Sequence, residues 1–271
     1  MRTFYLGTHR PAWLRDSTVP LFVSDTTLRD YRALPRASTT WALDSGAYSQ
    51  LWRRGGWQNG PTPRQYAGRI RRYVDEIGHL AWASPQDHMC EPDMLHRTGL
   101  TVERHIDLTV GNYLELKGVD AGLAVIPVVQ GWLPRDYARC VALYSRHGVD
   151  LSGEPLVGVG SVCRRQGTTE AEQVIDTLWD LGVRRLHTYG VKTLGLRRFA
   201  NRIDSSDSLA WSLAARYSPP LPGCTHRGHC GNCRRWAMRW RGDLLRSLPP
   251  TRPGSTPRRN QRASRPPVET P

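Results

Sequence analysis

Lysine is nearly absent from this chain. Lys117 and Lys192 are the only two, so a net charge of +14 over 271 residues rests almost wholly on arginine. A GC-rich coding sequence produces the same bias, so the preference for Arg over Lys says nothing about ligands. The positive excess does, because an Arg-rich surface favours a polyanion, and nucleic acid becomes the leading partner class. Long apolar runs are also missing. Nothing approaches the ~20 apolar residues that a membrane helix needs, and the stretch from Met1 to His9 has no apolar segment of signal-peptide length. Membrane and secreted classes are not expected; a cytoplasmic place, in a bacterial or phage-infected cell, is. Aromatic residues stop before Ser247, and from there to Pro271 seven prolines and five arginines stand against one glutamate. Such a segment buries too little apolar area to offset its chain entropy. Residues 247–271 are expected to form a disordered basic tail.

The remainder suits a globular fold. Apolar residues make up 39% of the chain, enough for a core, and the length allows one large domain or two small ones. Eight short apolar runs recur: Phe4–Thr8, Leu21–Asp25, Trp41–Gly46, Leu80–Asp87, Val125–Gly131, Leu156–Ser161, Leu186–Gly190 and Ile203–Ser208. Several are almost continuously apolar, as parallel strands covered on both faces are. Helical periodicity fills most gaps: Tyr66, Ile70, Tyr73, Val74 and Ile77 form one stripe, and Tyr137, Cys140, Val141 and Tyr144 another. Thr169 with Glu172 reads as a capping box ahead of Val174, Leu178 and Leu181. Eight alternations of strand and helix predict a (β/α)8 TIM-type barrel over residues 1–217, with a doubly wound open sheet as the alternative. The gap between the first two runs holds barely one helical turn.

Barrel chemistry sits at the C-terminal ends of strands. Those positions hold Asp44-Ser45-Gly46, Asp87, Gln130-Gly131, Gly158-Val159-Gly160-Ser161 and Asp207. Three carboxylates, one carboxamide and a glycine-rich strand end suit acid–base or covalent carboxylate chemistry on a polar planar substrate, without a redox cofactor. Each residue also has a plainer reading: Asp44 as an Asx turn, Asp87 as a loop cap, Asp207 as the N-cap of the helix through Leu209 and Trp211. His9, Asp25 and His187 gain no role from their spacing and are expected to line the barrel.

A second signal is Cys224-Thr-His226-Arg-Gly-His229-Cys230-Gly-Asn-Cys233. Three cysteines and two histidines in ten residues, without a secretory signal, read as a metal site rather than a disulfide framework. Cys224, His226, Cys230 and Cys233 are the expected tetrahedral set for a structural Zn2+, with His229 as the competing ligand. The helix after it, with Trp236, Trp240 and Leu244, would pack on the barrel, so residues 218–246 form a zinc-binding segment and docking helix.

In this order, the motifs resemble the tRNA-guanine transglycosylase superfamily, and within it the DpdA-like 7-deazaguanine DNA transglycosylases. The resemblance runs from Phe4 to Cys233 and rests on Leu43–Gly46, Pro85–Pro92, Val129–Trp132, Val157–Ser161, Ser206–Ser208 and the Cys/His cluster. It implies exchange of guanine in DNA for a 7-deazaguanine, with 7-cyano-7-deazaguanine the expected base and accessory modification proteins as further partners. It also implies roles. Asp207 would be the nucleophile, with Asp204 as the weaker choice, and Asp44 a general acid/base. Asp87 would read the base edge and Gln130-Gly131 its carbonyl. A backbone N–H from Gly158 or Gly160, beside Ser161, would assist. Two departures bear on the substrate. The tRNA enzymes carry Asp-Ser-Gly-Gly-Phe-Gln where this chain has Asp44-Ser45-Gly46-Ala47-Tyr48-Ser49, and their zinc ligands are Cys-x-Cys-x-x-Cys with a distant His. The chain is also shorter than those enzymes and lacks an appended RNA-binding domain. These departures favour DNA. Base exchange in tRNA and a catalytically silent nucleic-acid-binding barrel are the alternatives.

Overall fold

A computed structural model of the chain describes residues 1–226 and 228–249. Eight parallel strands alternate with helices: β1 (Thr3–Thr8), β2 (Leu21–Ser24), β3 (Trp41–Asp44), β4 (Leu80–Ala83), β5 (Val128–Val129), β6 (Val157–Val159), β7 (Leu186–Thr188) and β8 (Ser205–Ser208). The helices are α1 (Asp25–Leu28), α2 (Ala47–Arg54), α3 (Pro63–Glu76), α4 (Pro92–Thr98), α5 (Val102–Val119), α6 (Pro134–Arg146), α7 (Thr169–Asp180), α8 (Thr193–Phe199), α9 (Ala210–Ala214) and α10 (Arg234–Arg246). Strand order is β4-β3-β2-β1-β8-β7-β6-β5. The edges of the sheet are linked by one isolated parallel bridge, in which Ala83 of β4 donates its N–H to Ala124 (2.8 Å) and its carbonyl accepts from Ile126 (3.1 Å), both in the segment that leads into β5. The eight parallel strands curl as the barrel expectation requires, into a half-barrel whose edges touch at this bridge, and the flat doubly wound alternative is set aside. Among the described residues, no helix is long and apolar enough to cross a membrane. From Pro250 onward the expected tail lies outside the described residues.

Local sequence explains the outer shell. Thr62 opens α3 with a complete capping box: its hydroxyl accepts from Gln65 N–H (3.2 Å), and Gln65 Oε1 accepts from Thr62 N–H (2.9 Å). Tyr66, Ile70, Tyr73 and Ile77 are all buried, whereas Val74 is 47% exposed. At 100° per residue Val74 falls at the rim of that stripe, which corrects its placement in the core. The cap of α7 also shifts by one residue, because Thr168 rather than Thr169 accepts from Ala171 N–H. Between β1 and β2 the short gap holds a 3-10 turn, Pro11–Arg15. α10 docks as its pattern predicts, with Ala237 and Leu244 buried and Trp240 centred 6.2 Å from Phe4.

Helix tyrosines tie the shell to the strand ends. Tyr66 donates to the Ser84 carbonyl (2.9 Å), Tyr137 to Gly160 (2.7 Å) and Tyr144 to Val128 (3.0 Å). Carbonyls left over where strands stop are thereby satisfied inside a dry core. Inside the barrel sits a separate aromatic plug of Tyr5, Phe22, Trp82, His187 and Tyr189, with His187 centred 4.6 Å from Trp82 and 4.8 Å from Tyr189. It fills the lower barrel and leaves the upper end open as a pocket.

Candidate active site and metal cluster

The pocket above the plug has a volume of about 460 Å³, and its walls include Asp44, Asp87, Gln130, Gly160, Ser161 and Asp207. Five strand ends supply them, so residues 163 positions apart in sequence share one cavity.

Asp44 ends β3. The nearby Gly46 N–H and Ser24 hydroxyl favour its charged form, yet burial outweighs both and raises its pKa to about 6. Asp207 and Asp25 push in the same direction. The turn through Gly46 leaves Asp44 on the wall of the pocket. Gly46 sits at φ 83°, and a Cβ there would meet Thr26 Cγ2 at 2.6 Å, so the Asp-Ser-Gly turn requires glycine.

Asp87 lies beyond β4. Burial raises its pKa to about 7 against the opposing effect of Gln130, whose Nε2 donates to Asp87 Oδ2 at 2.6 Å. Ser161 Oγ stands 2.7 Å from Gln130 Oε1 and 2.9 Å from Glu91 Oε2, and it accepts from Cys90 N–H at 2.7 Å. A serine has one proton to donate. Burial raises the Glu91 pKa against the Ser161 hydrogen bond, and the one serine proton is shared between Gln130 Oε1 and Glu91 Oε2. The chain Glu91–Ser161–Gln130–Asp87 then fixes the carboxamide with its oxygen toward Ser161 and an N–H toward Asp87. Ser161 holds φ 55°, an uncommon backbone for a residue with a side chain, in the middle of this network.

Asp207, on β8, accepts from Gly190 N–H through Oδ1 at 3.0 Å. It does not cap α9; Ser208 Oγ accepts from Ala210 N–H there instead. Below it, His187 Nε2 lies 3.3 Å from the same Oδ1, off the hydrogen-bond direction and otherwise without a partner, while its Nδ1 meets Ser205 Oγ at 2.9 Å. Asp204, the alternative nucleophile, borders a cavity at the opposite end of the barrel beside Arg2.

Two glycines do not face the pocket. A Cβ on Gly131 would meet Asp136 at 2.7 Å, and one on Gly158 would meet the Tyr189 hydroxyl at 2.6 Å. The N–H groups of Gly158 and Gly160 both serve the sheet, donating to Pro127 (2.8 Å) and Val129 (3.0 Å). The expectation of a free glycine N–H from β6 is corrected by that ladder. Gly160 contributes through what it lacks, because a Cβ there would sit 2.1 Å from Gln130 Nε2. Of the residues left without roles, His9 lines the mouth of the pocket and His187 lies beneath Asp207. Asp25 is buried against Arg69 (2.7 Å) and the Tyr73 hydroxyl (2.8 Å), outside the cavity.

Over residues 1–264 the chain matches the family described as DpdA, DeoxyPurine in DNA protein A. It belongs to the DpdA family. A search of curated proteins returns no match. Membership supports a transglycosylase that modifies DNA, with DNA and a deazaguanine base as its substrates.

In this DpdA chain the C-terminal cysteines gather as the spacing requires. Ligand atoms of Cys224, His226, Cys230 and Cys233 all lie within 4.8 Å of one another. Cys224 and Cys233 Sγ are 3.8 Å apart, about the edge of a tetrahedron with Zn–S bonds near 2.3 Å. Burial alone would raise the Cys233 thiol. The N–H of Trp236 at the start of α10, then His226 and Cys224, outweigh it and bring the pKa to about 7. The donor set fits a structural zinc, and these four residues would hold it. His229 falls outside the cluster and turns Nδ1 to the Gly231 N–H at 3.1 Å.

Sequence reasoning passed over three groups around the cavity. Glu91 stands four residues after Asp87 in the same quoted motif, a spacing that flags it as a second carboxyl of one loop. Gly190 holds Asp207 through its backbone, which no side-chain pattern reveals. Tyr48 lies in the Asp44–Ser49 motif, and its ring borders the mouth.

Proposed function

We propose that the chain replaces guanine in DNA by a 7-deazaguanine, 7-cyano-7-deazaguanine, through a covalent glycosyl-Asp207 intermediate. The observation that carries this reading is the convergence of Asp44, Asp87, Gln130 and Asp207 on one cavity in a chain of the DpdA family. Asp207, held by the Gly190 N–H, attacks C1′ of the extruded nucleotide as the C1′–N9 bond breaks. Asp44, with a pKa of about 6, gives its proton to N9 of the departing guanine. It then takes the N9 proton of the incoming base, which attacks C1′ and releases Asp207. Two displacements retain the anomeric configuration. Ionised Asp87 accepts the N–H groups of the guanine-like edge, and Gln130, fixed by Ser161, meets the base carbonyl. A base that does not match leaves these buried groups unpaired, which is the source of selectivity.

Residues 1–217 form the catalytic barrel in this reading, and 218–246 the metal-binding segment and docking helix. Zinc there pins the start of α10 and takes no part in the exchange. The test is mass spectrometry of nucleosides from DNA and from tRNA in cells that express the protein and are supplied with deazapurine. A 7-deazaguanine deoxynucleoside that disappears with Asp207→Ala supports the proposal. Modification confined to tRNA would move the substrate to that polymer, and modification that persists in Asp207→Ala would refute the nucleophile.

A further inference from the structure

Beside the pocket, α2 carries a surface that the exchange chemistry leaves unused. Its first turn lines the mouth through Ala47, Tyr48 and Ser49. One turn further out, Trp52 is 43% exposed, and its ring lies nearly parallel to that of Tyr48, 8° apart with centroids at 6.3 Å. Each ring has a guanidinium beside it: Arg164 over Tyr48 at 5.6 Å and Arg97 over Trp52 at 5.9 Å. Arg97 is anchored by its Nε, which donates to the Trp52 carbonyl at 2.8 Å. Arg53 and Arg54 follow Trp52 on the exposed end of the helix. Among the described residues, Arg53, Arg54 and Arg97 have no carboxylate within 4.0 Å, whereas Arg164 is paired with Asp93.

We infer that Trp52 is a stacking platform for the nucleotide next to the extruded guanine, with Arg53, Arg54 and Arg97 on its phosphates. This rests on the DNA reading above and assigns a subsite to it. Three features point to an opened DNA strand as the occupant. The indole is a large apolar face left in water, and every base offers a π-face to it regardless of sequence. Arg97, without a carboxylate partner among the described residues, lies over the ring, and two more such arginines, Arg53 and Arg54, follow Trp52 on the exposed end of α2, a positive edge that suits a phosphate backbone and not a basic partner. The platform is also continuous with the cavity: one helical turn, about 5.4 Å, separates Tyr48 from Trp52.

The experiment uses the full chain and a labelled single-stranded oligonucleotide with one guanine, in three versions: intact, and with an abasic site on either side of the guanine. Wild type should lose about 5- to 100-fold in affinity when one particular flanking base is removed, the range of base–aromatic stacking. Trp52→Ala should lose a similar factor on the intact strand and nothing more on the abasic one. Trp52→Phe should recover most of the binding. A Trp52→Ala protein that binds within twofold of wild type, or stays as sensitive to the abasic site, overturns the inference and leaves the exchange reaction standing. Wild type that binds none of the three strands overturns both. Should Trp52→Ala unfold, Arg53→Gln with Arg54→Gln carries the test. Losing two phosphate contacts lowers the slope of log K against log salt by about 1.4 for a single strand, and an unchanged slope overturns the inference.

Discussion

Gly160→Ala isolates the way this site is held. The new Cβ would fall 2.1 Å from Gln130 Nε2 and 2.5 Å from Cδ, so the carboxamide must withdraw by about 1.3 Å to reach the 3.4 Å of an ordinary contact. Gln130 cannot do so and keep both of its bonds, at 2.6 Å to Asp87 and 2.7 Å to Ser161. A misplacement of about 1 Å costs on the order of 100-fold in rate, and overpacking of this kind costs about 1–3 kcal/mol of stability. The assay is exchange of labelled guanine in a DNA oligonucleotide, read as kcat/KM, beside a thermal melt. The expected result is a loss of about 100-fold with the fold retained and Tm lowered by several degrees. Gly158→Ala is the contrast: its Cβ meets Tyr189 inside the barrel, so stability should fall without the same displacement of Gln130. A Gly160→Ala enzyme with wild-type kcat/KM would show that Gln130 need not sit where the Glu91–Ser161 chain puts it.

Other consequences follow from the same geometry. A neutral Glu91 would donate to Ser161, in which case Glu91→Gln keeps exchange within about threefold and Glu91→Ala loses about tenfold or more; equal losses in the two variants would show that Ser161 donates to an ionised Glu91. Burial raises Asp44 to about 6 and Asp87 to about 7. The native state therefore holds more protons than the unfolded chain between about pH 4 and pH 7, and stability falls as pH rises through that window. Asp87→Asn should flatten the fall and raise Tm at pH 8, with about 4 kcal/mol as the upper limit. Asp44 must be protonated to give its proton to N9, and Asp87 ionised to accept from the base edge, so kcat/KM should be bell-shaped with its maximum between about pH 6 and pH 7 and fall on either side, with apparent values that belong to the coupled pair. For the metal cluster, purified protein should carry about one zinc per chain, and Cys230→Ser with Cys233→Ser should lose it and melt lower. A metal-free protein that folds and exchanges normally would refute the structural role.

Much of the barrel was legible because its strands are buried on both faces and leave near-continuous apolar runs. β1 and β3 show this directly, as do the tyrosine stripes of α3 and α6. β8 shows the reverse. Its sequence, Ser205-Ser206-Asp207-Ser208, has no apolar residue; it pairs through its backbone with β1 and β7, and the single Ser206 hydroxyl proton is shared between the Thr188 and Val191 carbonyls at 2.9 and 2.7 Å. Val74 and Thr169 were misplaced for a related reason. Periodicity and capping patterns fix an element to within a residue or so, and packing decides the rim.

The amino-acid order by itself determined the alternation of elements, the strand-end carboxylates and the metal spacing, since each depends on residues a few positions apart. Which groups would face one another depended on contacts across the barrel. Asp207 lies on β8 and Asp204 just ahead of it, three residues apart, yet one borders the pocket and the other the lower cavity. Glu91 and Ser161 are 70 residues apart and share a hydrogen bond. The polarity of Gln130, the raised carboxyl groups of Asp44 and Asp87, and the exposed Trp52 beside uncompensated arginines likewise arise only when distant segments exclude water together. Burial and long-range proximity are properties of the packed chain, and no local pattern encodes them.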